Sequence, residues 1–212
     1  MIAIEEVGRS IEEAVEAGLK RLGLPRELVV VETLEEANRG FLGLVGGRQA
    51  RVRLVPTQMG EQVLHAKEVL AGLLQAMGVE TEIGWEELPE GGLRLNLSGP
   101  HAGLLIGKHG QTLEALQFIV HRIVSRRPGE RLRIQLDVEG YVERRRQQLE
   151  QYALRLAQQV KSTGEPVTLD PMNPADRRTV HLVLQRDSEV RTESLGEGLL
   201  RRLVIAPAGR RL

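Results

Sequence analysis

The stretch Leu105-Ile106-Gly107-Lys108-His109-Gly110-Gln111-Thr112-Leu113 decides how this chain is read. Two glycines three apart stand between a short apolar helix predicted over residues 101–106 and a longer helix predicted from Gly110. Lacking Cβ atoms, they let another backbone approach and take φ values that other residues resist. The second helix turns its free N–H groups and positive dipole end towards the loop, which suits a phosphate. Lys108 adds a point charge on a flexible stem, and His109 a ring that can hydrogen-bond a sugar or a phosphate. A helix–turn–helix with glycines for geometry alone also fits the tetrapeptide, so the flanking pattern has to decide.

Upstream, Val63, Ala66, Leu70, Leu73, Leu74 and Met77 share one helical face that stops at Gly78. Val79, Thr81 and Ile83 alternate with Glu80 and Glu82, and Leu93, Leu95 and Leu97 with Arg94, Asn96 and Ser98, as half-buried strands do. Downstream, the long helix is predicted to bury Leu113, Leu116, Val120, Ile123 and Val124. Leu132, Ile134, Leu136 and Val138 then alternate with polar residues. The order over residues 61–138 is α-β-β-α-α-β, and in that frame the Gly-x-x-Gly loop reads as a binding loop.

Two further domains flank this one. In residues 1–55, Ser10 and Glu13 form a capping box before a helix carrying Ile11, Ala14, Val15, Leu19 and Leu22, which Gly23 and Pro25 stop. Strands are predicted at 28–32 and 50–55, with the glycine-rich run Gly40-Phe41-Leu42-Gly43 between them. Phe41 and Leu42 read as a buried turn, with an exposed docking knob as the alternative. Residues 56–60 read as a linker. Residues 139–212 open with a long helix to about 161, predicted to bury Val142, Leu149, Tyr152, Ala153, Leu156 and Val160. A short strand follows, then a helix capped by Asn173 with Pro174 in its first turn, and two strands joined by the Gly196–Gly198 turn. The expected class is α+β: three small α/β domains in tandem.

Composition narrows the function. Of 212 residues 41% are hydrophobic and 27% charged, which supports folded domains rather than disorder. Only Phe41, Trp85, Phe118, Tyr141 and Tyr152 are aromatic, so the cores must be aliphatic and aromatic base-stacking platforms have little material. There is no Cys, which removes disulfides, thiolate metal sites and cysteine nucleophiles. Glu5 and Glu6 stand where a secretory signal is basic and then apolar, and no apolar run approaches a membrane span of about 20 residues, so a cytoplasmic location is expected. The net charge of zero divides unevenly: residues 1–100 carry 10 bases and 16 acids, residues 101–212 carry 19 and 13. A polyanion is therefore expected to meet the second half.

A second cluster lies in Arg177-Arg178-Thr179-Val180-His181. Arg177 and His181 are four apart and share a helix face, with Val180, Val183 and Leu184 on the buried one. The plain alternative is a solvated helix face. What favours a phosphate site is the cationic company of Arg144–Arg146, Arg178, Arg201 and Arg202. Nucleotide hydrolysis fails on spacing, because Ala102 stands five before Gly107 and His109 replaces the magnesium-binding hydroxyl of a Walker loop. The five histidines are dispersed, so neither a metal site nor a cofactor is expected, and no catalytic triad or carboxylate pair can be assembled. His101 is a candidate cap.

These residues resemble a known family. Leu105–Leu113 in its α-β-β-α-α-β frame resembles a type II KH domain. The run from Asp176 to His181 with the later Gly196–Arg202 segment resembles the single-stranded nucleic-acid-binding domain named for Arg-x-x-x-His. Residues 1–55 are similar to the N-terminal domain of the Jag family, and the three in this order resemble that family over nearly the whole chain. Asp176 stands where the family pattern has Glu. The resemblance implies a non-enzymatic RNA-binding protein, a regulator or chaperone of RNA linked to bacterial cell elongation and division. It implies RNA contacts at Ile106, Gly107, Lys108, His109, Gly110, Arg177 and His181, with auxiliary phosphate contacts at Arg178, Arg201 and Arg202. The partners implied are single-stranded RNA, a small KH-only protein, a second copy of the chain and a YidC-type insertase. A protein–protein adaptor with incidental RNA binding is the alternative.

Overall fold

The computed structural model describes residues 2–37, 48–89, 91–125, 133–197 and 201–209. Three α/β domains follow one another, each with a three-stranded sheet. In the first, strand β1 (Ile4–Gly8) precedes helix α1 (Ile11–Leu22), and β2 (Val29–Glu35) and β3 (Ala50–Pro56) follow. Half of the capping box forms, Ser10 Oγ accepting from the Glu13 N–H at 3.2 Å, while the Glu13 carboxylate reaches one residue further back and accepts from the Arg9 N–H at 2.6 Å. Strand β3 is central and antiparallel to both neighbours, in the order β1-β3-β2. Its alternation holds, with Ala50, Val52 and Leu54 fully buried and Arg51 and Arg53 outside. Gly18 of α1 packs so closely on Leu54 that a Cβ there would lie 2.5 Å from its methyl carbon.

Strand β1 is missing from the sequence reading because Ile4, Glu5, Glu6 and Val7 show no clean period of two; pairing with β3 makes the strand. The expected linker at 56–60 is not a loop. Pro56 pairs with Val29, Thr57 caps the next helix by accepting from the Gly60 N–H at 3.2 Å, and Gly60 is buried in that helix. The glycine-rich run at 40–43 lies outside the described residues, as does Gly198 of the turn at 196–198.

The middle domain runs through α2 (Gln58–Ala76), β4 (Glu82–Glu87), β5 (Leu93–Ser98), α3 (Ala102–Ile106), α4 (Gln111–Val124) and β6 (Ile134–Val138), with sheet order β4-β5-β6. This is the expected α-β-β-α-α-β sequence. Helix α2 stops at Ala76, so Met77 takes the C-cap position and is exposed rather than buried. Val79 belongs to the turn after α2, its N–H on the Leu74 carbonyl, and the strand starts three residues later. Trp85, the single Trp, is half-buried on β4. On α4 the buried stripe is Leu113, Leu116, Val120 and Val124; Ile123 falls at the edge of that stripe and is exposed.

In the third domain α5 (Tyr141–Thr163) and α6 (Pro174–Leu184) accompany a sheet of β7 (Val167–Thr168), β8 (Val190–Leu195) and β9 (Arg202–Pro207) in antiparallel order β7-β9-β8. The core is aliphatic, built on Ala153, Leu156, Val160, Val180, Leu184 and Leu203 among others, with no aromatic ring. Val142 and Tyr152, both expected inside, are exposed. Tyr152 sits at the edge of the buried stripe with the Arg155 guanidinium 5.8 Å from its ring centre. By their contacts, residues 1–95 with 118–135 form one compact unit, and residues 96–117 with 136–212 form another. The second unit holds the Gly-x-x-Gly loop and the whole third domain.

Candidate nucleic-acid interface

The loop begins where α3 ends. Gly107 has φ 68° and ψ −172°, a backbone region open essentially to glycine alone. A Cβ there would also stand 2.1 Å from Thr112 Oγ1. A single 3₁₀ turn, Lys108–Gly110, then leads into α4, so α4 starts one residue later than the sequence suggests. His109 is left-handed, with φ 53°, a state that His tolerates better than most residues. Gly110 has φ 83°, and a Cβ on it would lie 3.1 Å from the Tyr141 ring. Gly107 is thus required twice over, by conformation and by space, and Gly110 by conformation, with the Tyr141 ring leaving a side chain there little room.

The chain at the loop's tip is open. Lys108 and His109 are exposed, and among the described residues neither side chain makes a hydrogen bond or ion pair. Ile106 is half-buried beside Leu105, which is fully inside. His101 holds the N-cap position of α3, but its side chain makes no capping bond.

Helix α6 starts as expected. Asn173 Oδ1 accepts from the Asp176 N–H at 2.8 Å, and Pro174 fills the first turn. Arg177 and His181 share a face, yet that face is half-buried and tethered. Arg177 Nη1 donates to the Met172 carbonyl at 2.6 Å, and His181 Nδ1 bonds the Thr192 hydroxyl on β8. The arrangement leaves Arg177 Nε and Nη2 and His181 Nε2 without a hydrogen bond among the described residues. Arg201 is close by, because its carbonyl accepts from the Met172 N–H at 3.4 Å. Arg178, Arg201 and Arg202 are exposed and unpaired among the described residues.

The arginine run on α5 is a different matter. Arg144 donates to the Glu139 carbonyl, and Arg146 binds Glu143 and Glu150. Hydrogen bonds from Arg146 and Gln147 hold the Glu143 carboxyl down to about 2. Arg145 donates through Nε and Nη2 to one oxygen of Asp176 at 3.1 and 2.9 Å. The run therefore adds little free charge to the surface. This inward pairing is not legible in the sequence: no local signal links Arg145 to a carboxylate 31 residues on.

Asp176 is buried, with 7% of its surface exposed. Burial pushes its carboxyl above the usual range, against the pull of Arg145 and, more weakly, of His109. Burial likewise raises Glu114 on α4, helped by Asp176 and opposed by Arg177. These couplings run between the loop, α4 and the start of α6. A cleft of about 170 Å³ lies among them, lined by His109, Gly110, Glu114, Tyr141, Arg145 and Asp176 with their neighbours. A larger hollow of about 450 Å³ at the end of α2 has no cationic side chain and takes no part.

Comparison with known proteins gives three matches in chain order. Residues 7–56 match the family described as Jag N-terminus, residues 65–136 the KhpA/KhpB KH domain, and residues 147–207 the domain named for its Arg-x-x-x-His motif. The chain is 35% identical to the RNA-binding protein KhpB of Bacillus subtilis over 205 residues, covering 96% of this chain and 97% of that one. It is 36% identical to the protein of the same name from Clostridium symbiosum over 207 residues, covering 97% and 92%. A third protein of that name, from Streptococcus pneumoniae, matches at 30% over 148 residues, covering 68% of this chain and 44% of its own.

Proposed function

Because the chain belongs to the KhpB family of RNA-binding proteins, we propose that it binds single-stranded RNA and performs no chemistry on it. The observation that carries this reading is the loop: a glycine-enforced turn with exposed, unpaired Lys108 and His109 at its tip. Such a loop clamps the backbone of about four nucleotides. Ile106 supplies an apolar shoulder, and Gly107 and Gly110 let the strand approach. Arg177 and His181 offer two guanidinium nitrogens, Nε and Nη2, and one ring nitrogen to a further phosphate, with Arg178, Arg201 and Arg202 as auxiliary cations. A base-edge reader of this kind favours single strands, since an A-form duplex hides its edges in a deep major groove.

The domain limits in this reading are 1–55, 61–138 and 139–212. The relatives are named for RNA binding, and a role as regulator or chaperone of RNA in the cytoplasm accords with that. Partnership with a small KH-only protein, a second copy or a YidC-type insertase belongs to the same proposal. Among the described residues no helix is long and apolar enough to cross a membrane.

The test is Lys108→Asp with His109→Asp. Both side chains are exposed, so the fold is expected to stand while affinity for single-stranded RNA falls sharply through repulsion. Unchanged binding at low salt would remove the loop from the interface. Binding insensitive to salt would favour the adaptor reading instead.

A further inference from the structure

Three features tie β6, the Gly-x-x-Gly loop and α6 to the first turns of α5, and none of them is itself an obvious RNA contact. The first is the junction. Glu139 and Gly140 alone separate β6 from α5, both with positive φ. Buried Asp137 fixes that bend by accepting from the Gly140 N–H at 2.6 Å and the Val142 N–H at 2.9 Å. The second is the Tyr141 ring, which packs against Gly110 at the base of the loop. The third is the Arg145–Asp176 pair, whose side chains are only 22% and 9% exposed. It joins the first turns of α5 to the start of α6, directly before Arg177.

A buried ion pair is a poor stabiliser. Desolvating two charges costs about as much as their attraction returns, and well-packed apolar residues of similar size do as well or better. What such a pair does supply is a fixed direction and spacing. Here it holds the helix that carries Arg177 and His181 against α5, whose first residue, Tyr141, packs on Gly110. We propose that Asp137, Tyr141, Arg145 and Asp176 are positioning residues that lock the loop and the Arg177/His181 face into one rigid platform, so that a single RNA strand engages both. This rests on the RNA-binding reading above and adds to it the source of affinity for long strands. Two short sites held at fixed spacing raise each other's effective concentration, and the gain is lost when the spacing is free to wander. The electrostatic coupling of His109 to Asp176 and of Arg177 to Glu114 agrees with such closeness.

The experiment compares two probes on the full chain: a four-uridine strand, the length one loop clamps, and one of about sixteen uridines. Affinities are measured by NMR titration and fluorescence anisotropy, with folding checked by circular dichroism. Wild type is expected to bind the long strand about 100-fold or more tightly than the short one. In Arg145→Leu and Tyr141→Ala that advantage is expected to fall by about tenfold or more, with short-strand affinity unchanged and a shallower salt slope for the long strand. If Arg145→Leu does not fold, Arg145→Lys keeps the charge without the fork, and Tyr141→Phe keeps the ring as a control expected to behave as wild type. A folded variant that keeps the full long-strand advantage overturns the proposal. So does an equal loss for both strands, which would make these residues RNA contacts. A wild type that binds neither probe overturns the RNA reading and the platform with it.

Discussion

Gly107 combines a φ/ψ pair that disfavours every side chain with a gap too small for a methyl group. Gly107→Ala is therefore expected to cost about 3 kcal/mol, strain and clash together, and to lower RNA affinity. Gly103, one turn earlier, faces open space on α3. Gly103→Ala is expected to be neutral or to stabilise by up to about 1 kcal/mol, and thermal melts of the two variants check the contrast. Asp176 gives a second expectation. Its carboxyl titrates above the usual range, so the folded chain holds that proton more tightly than the unfolded one. Its contribution to stability therefore falls as pH rises through the interval above the ordinary value. Removing the guanidinium in Arg145→Leu widens that interval upward. The variant is expected to lose about 3 kcal/mol at neutral pH and to recover part of it on acidification to about pH 5, as read by urea unfolding. Glu143 behaves in the opposite sense. Its carboxyl lies near 2, so its favourable pairing is present above the ordinary carboxylate value and disappears as pH falls towards 2. An NMR titration of Glu143 should show that midpoint and its rise with added salt.

Helix α6 shows how far an element can be read from its letters. Asn173, Pro174 and the four-residue spacing of Arg177 and His181 are legible, because caps and helical period are local. The tethering is not: Thr192 meets His181, and Arg145 meets Asp176, only through the fold, and no cap or period announces the bond from Arg177 to the Met172 carbonyl. The sequence alone suggests that Arg177→Ala with His181→Ala leaves stability nearly untouched. The bonds to the Met172 carbonyl and the Thr192 hydroxyl change that expectation to a loss of about 2 kcal/mol. Arg178→Ala, an exposed and unpaired position, is expected to leave stability alone and weaken RNA binding. Denaturation and binding measured on the same samples separate the two effects. Among the strands, β3 is legible by its strict alternation, while β1 is not, since its mixed residues gain a period only from the partner strand. The same limit explains Ile123, Val142 and Tyr152. Apolar letters mark what a helix can bury, and packing decides which of them it does.

Across the whole molecule, charge counting suggests a basic second half, and pairing reduces that excess to fewer useful cations. Lys108, Arg178, Arg201 and Arg202 are the exposed, unpaired ones among the residues assigned to the interface. If each neutralises one phosphate of a single strand, log affinity against log salt should slope at about −3, and Lys108→Ala should remove about 0.7 of it. A slope near zero would leave these cations without a phosphate. The scarcity of aromatic residues has a separate, practical consequence. Trp85 on β4 is the only indole, and the aliphatic core around Leu156 and Leu203 contains no ring at all. Fluorescence emission therefore watches one strand of the middle domain and is blind to the interior of the last, whereas far-ultraviolet dichroism weighs every helix. Melting curves from the two probes that coincide mean that the chain comes apart in one event; curves that separate reveal a stage at which the indole has already met water and the final domain has not, or the reverse.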